Sequence, residues 1–145
     1  MAIMVREALP DLDAWDVKII GIDINPAILL KATQARYSEW SLRGTAEDVR
    51  RRYFRADGAD FLLAPEIHKM VSFEERNLVD EDPLFWESLA CDLVFCRNVL
   101  MYFTPETARG VVRRISQALL PRGFLFLGHA ETLRGITPEF HLCHT

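Results

Sequence analysis

Apolar and polar positions alternate along the chain in blocks that predict strands followed by amphipathic helices. Residues 17–22, Val17-Lys18-Ile19-Ile20-Gly21-Ile22, are rich in β-branched side chains and apolar on both faces, as a strand inside a parallel sheet should be. Asn25-Pro26 then supplies an N-cap and a first-turn proline, and Ile28, Leu29, Ala32 and Ala35 give an apolar stripe for a helix reaching about Arg36. Asp92-Leu93-Val94-Phe95-Cys96 is a second buried strand, and Thr104-Pro105-Glu106 opens a helix by the same device. Val111, Val112, Ile115, Ala118 and Leu119 form its inner face; Arg109, Arg113 and Arg114 are assigned to the outside by their charge, and Pro121-Arg122-Gly123 is expected to end it. Phe124-Leu125-Phe126-Leu127-Gly128 makes a third buried strand. Strands alternating with helices predict an α/β fold around a parallel sheet.

The remaining segments are shorter. Residues 2–9 predict a helix closed by Pro10, and residues 46–53 a short helix after the turn Arg43-Gly44-Thr45. Phe61-Leu62-Leu63 and Met70-Val71-Ser72-Phe73 are expected to pair as antiparallel strands, punctuated by Asp57-Gly58 and Ala64-Pro65. Pro83, Phe85 and Trp86 belong to a short helix or packed loop.

Composition narrows the function. A formal net charge of -4 over 145 residues argues against nucleic-acid binding, which needs a clustered excess of Lys and Arg; the one basic run, Arg50-Arg51-Arg52, suits the solvated face of a helix. The apolar runs are far too short to cross a bilayer, and no signal-peptide pattern follows Met1, so a cytoplasmic protein without membrane insertion is expected. Cys91, Cys96 and Cys143 lack metal-ligand spacing and suit free thiols, and His141, Cys143 and His144 at the tail are too weak a grouping to imply a metal.

Ligands of open parallel sheets sit beyond the C-terminal strand ends, which here carry Asp23, Arg97 with Asn98, and His129 with Glu131. A carboxylate at Asp23 suits the hydroxyls of a ribose and suits a turn or cap equally. Arg97 and Asn98 need partners at the end of an apolar strand: either a ligand carboxylate, or a neighbouring carboxylate such as Asp92 or Glu131 in a purely architectural pair. Tyr102 can orient a substrate carboxylate or, with Phe103, pack into the core.

Taken together, these residues resemble a known pattern. The run Cys96-Arg97-Asn98-Val99-Leu100-Met101-Tyr102-Phe103 is similar to the signature that follows the fourth strand of CheR-type methyltransferases. Gly21-Ile22-Asp23-Ile24-Asn25, Tyr53-Phe54, Arg76-Asn77-Leu78 and Gly128-His129-Ala130-Glu131 match in the same order. The resemblance implies a Rossmann-like class I methyltransferase sheet with a small antiparallel β-subdomain at about residues 53–73 that docks onto the receptor. It implies S-adenosylmethionine as cofactor and S-adenosylhomocysteine as product, with Asp23 on the ribose, Asn77 and Leu78 along the adenosine, Arg97 and Asn98 at the methionine end, and Tyr102 near the transferring methyl group. The family's Gly-rich loop and N-terminal helical domain would precede Ala2 and its last strand would follow Thr145. A partial domain, truncated at both ends, is therefore expected, and with it some self-association through unpaired strand edges.

The function implied is methylation of glutamate carboxylates on a chemoreceptor or receptor-like sensory protein. The alternatives are a non-catalytic module that keeps the fold and binds a signalling partner, and a nicotinamide-dependent Rossmann protein, against which residues 96–103 discriminate.

Overall fold

The first predicted strand forms as β1 (Ile19–Asp23), preceded by helix α1 (Ala2–Ala8) and followed by α2 (Pro26–Thr33). Asn25 caps α2 through its side-chain oxygen, which accepts the Ala27 N–H at 2.9 Å, and Pro26 occupies the first turn, where a missing N–H costs nothing. The helix stops at Thr33, short of the expected Arg36, because Ala35 turns into the left-handed region at φ 50° and releases the chain into β2 (Arg36–Ser38). Helix α3 (Glu47–Tyr53), β3 (Phe54–Asp57), β4 (Asp60–Leu63), α4 (Pro65–His68) and β5 (Val71–Glu75) follow.

This computed structural model describes residues 1–143 and separates into two units, Met1–Asn77 and a second that begins at Leu78. In the first, β1 and β5 pair in parallel, Ile19 opposite Val71 through Asp23 opposite Glu75. Strands β2, β4 and β3 form a separate antiparallel sheet with β4 in the middle. The antiparallel pairing expected between residues 61–63 and 70–73 is therefore corrected: β4 pairs with β2 and β3, and residues 71–75 pair with β1. Helix α4 turns the chain between the two, and a buried core explains the choice. Ile67 of α4, 1 % exposed, packs with Ala2 and Tyr53, and Ile19, Leu63 and Val71 from both sheets close around them. Arg51 and Arg52 of the basic run stand on the solvated face expected, whereas the Arg50 side chain is only 22 % exposed and lies over the Phe61 ring; each arginine has its own carboxylate, Arg50 bonding Glu39, Arg51 approaching Glu47 at 3.7 Å, and Arg52 bonding Glu7 at 2.9 Å.

The second unit runs α5 (Pro83–Ser88), β6 (Cys91–Cys96), α6 (Pro105–Ala118) and β7 (Leu119–Leu127), with β6 and β7 parallel. Thr104 caps α6, its hydroxyl accepting the Thr107 N–H. Val111 and Val112 are fully buried, and Ile115 and Ala118 nearly so. Residues 121–123 do not end the helix as expected; α6 stops at Ala118 and Pro121-Arg122-Gly123 forms an irregular stretch within β7, where Arg122 takes φ 71° and the pairing jumps from Cys91–Leu119 to Leu93–Phe124. Gly123 sits in a tight place: a Cβ there would lie 3.1 Å from the Asp92 carbonyl oxygen and 3.0 Å from that of Leu120, so a larger residue would require its neighbours to shift. Nor are the strands buried on both faces: Leu93, Phe95, Phe124 and Phe126 are 38–51 % exposed, with the Phe95 and Phe126 rings stacked at 4.6 Å.

Arg114 is a further correction. Assigned to the outside of α6, it is 8 % exposed, and its Nη2 donates to the carbonyls of Leu78 and Val79 at 2.9 and 3.3 Å, while Glu81 lies 3.8 Å from Nη1. Its Nε finds no acceptor. Burying a guanidinium is costly unless it is paired, so these carbonyls hold the helix to the segment that starts the unit.

No helix among the described residues is long and apolar enough to cross a membrane, and no group of three or more His, Cys, Asp and Glu side chains there is arranged to hold a metal ion. His144, a member of the tail grouping, lies outside the described residues.

Replacing Arg114 by Met keeps most of the apolar stem and removes the donors. The variant should lose about 2 kcal/mol of stability through its carbonyl bonds; chemical denaturation measures it, and a loss below about 0.5 kcal/mol would mean that the burial of this charge contributes nothing.

Candidate functional site

In the first unit the polar residues gather where β1 and β5 end. The Asp23 carboxylate accepts the Asn25 N–H through Oδ1 at 2.8 Å, and its main-chain oxygen accepts the Arg76 N–H at 3.0 Å, so the exits of the two parallel strands are tied together. Asn77 follows two residues after β5 and is half-buried. Oδ2 of Asp23 receives no hydrogen bond among the described residues. Asp23 is thus a turn residue and a carboxylate with an open acceptor at once, and the two readings of it do not compete.

The second unit places Arg97, Asn98 and Tyr102 on one turn after β6, the last of these in the 3₁₀ segment Leu100–Tyr102. Arg97 is exposed and makes no ion pair among the described residues, so neither Asp92 nor Glu131 partners it. Tyr102 is 80 % exposed, which removes the core-packing alternative for its ring, whereas Leu100 is 6 % exposed and anchors the segment. Asn98 adopts φ 60°, a left-handed conformation that Asn tolerates better than most side chains.

What holds this turn is Glu131, expected from the sequence as a candidate partner for the Arg97 side chain and found instead bonded to main chain. Glu131 Oε2 accepts the N–H groups of Asn98 at 2.6 Å and Gly128 at 2.7 Å, and Oε1 accepts those of Val99 at 2.9 Å and Met101 at 3.4 Å. The turn after β6 and the end of β7 are therefore bonded to one carboxylate. Gly128 must be glycine for lack of room, because a Cβ there would sit 2.5 Å from Asn98 Oδ1 and 2.6 Å from Glu131 Oε2. Desolvation pushes the Glu131 carboxyl upward, yet the main-chain N–H groups of Asn98, Gly128, Val99 and Met101 together outweigh it and hold the pKa below the ordinary 4.5. Burial, and then the Glu131 charge, push the thiol of Cys96 up to about 11, which leaves it protonated and unreactive at neutral pH.

Since the carboxyl is more acidic folded than unfolded, its contribution to stability is complete above the ordinary 4.5 and fades as pH falls through the folded value. The stability gap between the wild-type chain and Glu131→Gln should narrow over that acid range in denaturation curves taken at successive pH values. A gap that stays constant down to about pH 2 would contradict the ionised clamp.

Each unit thus carries polar groups suited to hydrogen-bonding a ligand at the end of a parallel strand: in the first, a carboxylate with an open oxygen and an amide; in the second, an exposed guanidinium beside a carboxamide. Comparison with known proteins points the same way. The model of the CheR methyltransferase, SAM binding domain, matches residues 1–145. The chain is 35% identical over 145 residues to chemotaxis protein methyltransferase 2 of Vibrio cholerae, an alignment covering 98% of this chain and 49% of that protein. It is 35% identical over 129 residues to chemotaxis protein methyltransferase 1 of Pseudomonas aeruginosa, covering 87% and 46%, and 32% identical over 128 residues to chemotaxis protein methyltransferase Cher2 of Pseudomonas putida, covering 86% and 45%. The chain thus spans about half the length of these curated relatives. Its α/β architecture with parallel strand pairs is consistent with the class I methyltransferase fold, S-adenosylmethionine is the cofactor of this domain family, and the chain belongs to the CheR methyltransferase family.

Proposed function

We propose that the protein carrying this chain methylates glutamate side chains of a chemoreceptor or receptor-like sensory protein in the cytoplasm. The observation that carries the reading is the match of the family's cofactor-binding domain to the whole chain, with the signature residues at the C-terminal ends of β1, β5 and β6. Asp23 accepts the ribose hydroxyls and Asn77 with Leu78 borders adenosine, while Arg97 and Asn98 hold the amino-acid end and the Tyr102 phenol orients the acceptor carboxylate. When bound, S-adenosylmethionine supplies an electrophilic methyl group on sulfonium sulfur. An acceptor glutamate is ionised at neutral pH, so no general base is required and the protein's work is placement and the exclusion of water. Polar side chains that hold and orient suffice for that. The small sheet of β2, β4 and β3 lies partly outside the range expected for a receptor-docking subdomain; we assign that role to residues 36–63.

Methyl-labelled cofactor incubated with the protein and a chemoreceptor signalling domain should give base-labile label on the receptor. Label that resists base, or that appears on nucleic acid or small molecules instead, would contradict the assignment. Asp23→Ala should weaken cofactor binding by about 1 to 3 kcal/mol through lost charge-assisted hydrogen bonds, measured by calorimetry. Unchanged affinity in a folded variant would reduce Asp23 to its turn with Asn25.

A further inference from the structure

We propose that Glu131 is a positioning residue for the methionine end of the cofactor, acting through the backbone of residues 97–102 and needing both carboxylate oxygens to do so. The inference rests on the methyl-transfer reading above and adds to it a residue, distant in sequence, that sets the geometry of the signature turn.

The four N–H groups that Glu131 receives fall in two sets. Oε2 serves Asn98 and Gly128, and Oε1 serves Val99 and, at longer range, Met101. An ionised carboxylate only accepts, and has about four lone-pair sites to offer. A carboxamide of the same shape accepts at one end and turns an NH2 donor toward the other set, so the isosteric replacement breaks half of the arrangement. The bonds go to main chain, so they fix the backbone from which Arg97, Asn98 and Tyr102 project, including the left-handed φ of 60° at Asn98. The Arg97 and Tyr102 side chains are exposed and make no ion pair or hydrogen bond among the described residues, so their placement depends on that backbone. Packing leaves no slack either: Gly128 brings Asn98 and Glu131 into contact at the end of β7, and Leu100 buries the middle of the turn. Both oxygens being engaged by main-chain donors, Glu131 acts by holding, with no part in proton transfer.

Two readouts on the full chain test this. In Glu131→Gln the amide signals of Asn98, Val99 and Gly128 should move while those of α6 stay in place, and affinity for S-adenosylhomocysteine should fall at least tenfold with adenosine affinity kept within twofold. The split matters because a general loss of structure would weaken both ligands alike. Glu131→Asp, which keeps the charge but withdraws it by one methylene, is the second variant and should show the same joint change, so the test stands if the Gln variant does not fold. Unmoved amides, moved amides with S-adenosylhomocysteine affinity within twofold of wild type, or equal weakening of both ligands would each overturn the positioning role. A wild-type chain that binds neither ligand would overturn the cofactor reading and this role with it; the wild-type control thereby separates that failure from a failure of Glu131 alone.

Discussion

Main-chain N–H groups released where β6 and β7 end have no strand partner, and one carboxylate takes them up. Leaving the buried Gly128 N–H without an acceptor would cost roughly 1–3 kcal/mol, and the same carboxylate takes the N–H groups of Asn98 and Val99, so the turn after β6 keeps its observed form through Glu131. The surrounding residues follow from that placement. Gly128 has no side chain because Asn98 and Glu131 occupy the space, Asn98 accepts a left-handed backbone, and the charge of Glu131 helps keep the Cys96 thiol protonated. A carboxylate at this position is structural before it is anything else, and the side chains that its turn presents remain exposed and polar.

Both units use the same device in different materials. In the first, the exit of β1 is tied to the exit of β5 by the Arg76 N–H on the Asp23 carbonyl; in the second, the tie is a side chain. Parallel strands leave their C-terminal ends on one edge, where polar residues can be gathered without burying them in the core. The core itself lies elsewhere, around Ile67 in the first unit and along the inner stripe of α6 in the second. Arg114 joins the stripe to the chain at Leu78 and Val79, so a buried cation holds α6 to the start of its unit.

Local patterns made the strands, caps and signature turn legible, because each depends on neighbours close in sequence. Pairing was less so. Residues 70–73 have the composition of an antiparallel partner for residues 61–63, and only the burial of Ile67 between them turns β5 toward β1. Arg114 was legible in principle: it stands three residues after Val111 and four before Ala118, within the apolar stripe, and its charge outweighed its phase in the reading. Glu131 was legible as a strand-end carboxylate that could pair with Arg97, but its actual partners were not, since all are backbone groups, three of them some thirty residues earlier, and no side-chain pattern records them. Tyr102 was open between packing and solvent because the 3₁₀ segment rotates it outward while Leu100 turns in.

The account's central claim is that strand ends in this chain bind an adenosyl amino acid. The most direct measurement is an amide perturbation map of the chain titrated with S-adenosylhomocysteine. The account predicts saturable shifts concentrated at Asp23, Ile24, Asn77, Leu78, Arg97 and Asn98, with the small sheet of residues 36–63 unchanged. Shifts confined to that sheet, or none at saturating ligand, would contradict it.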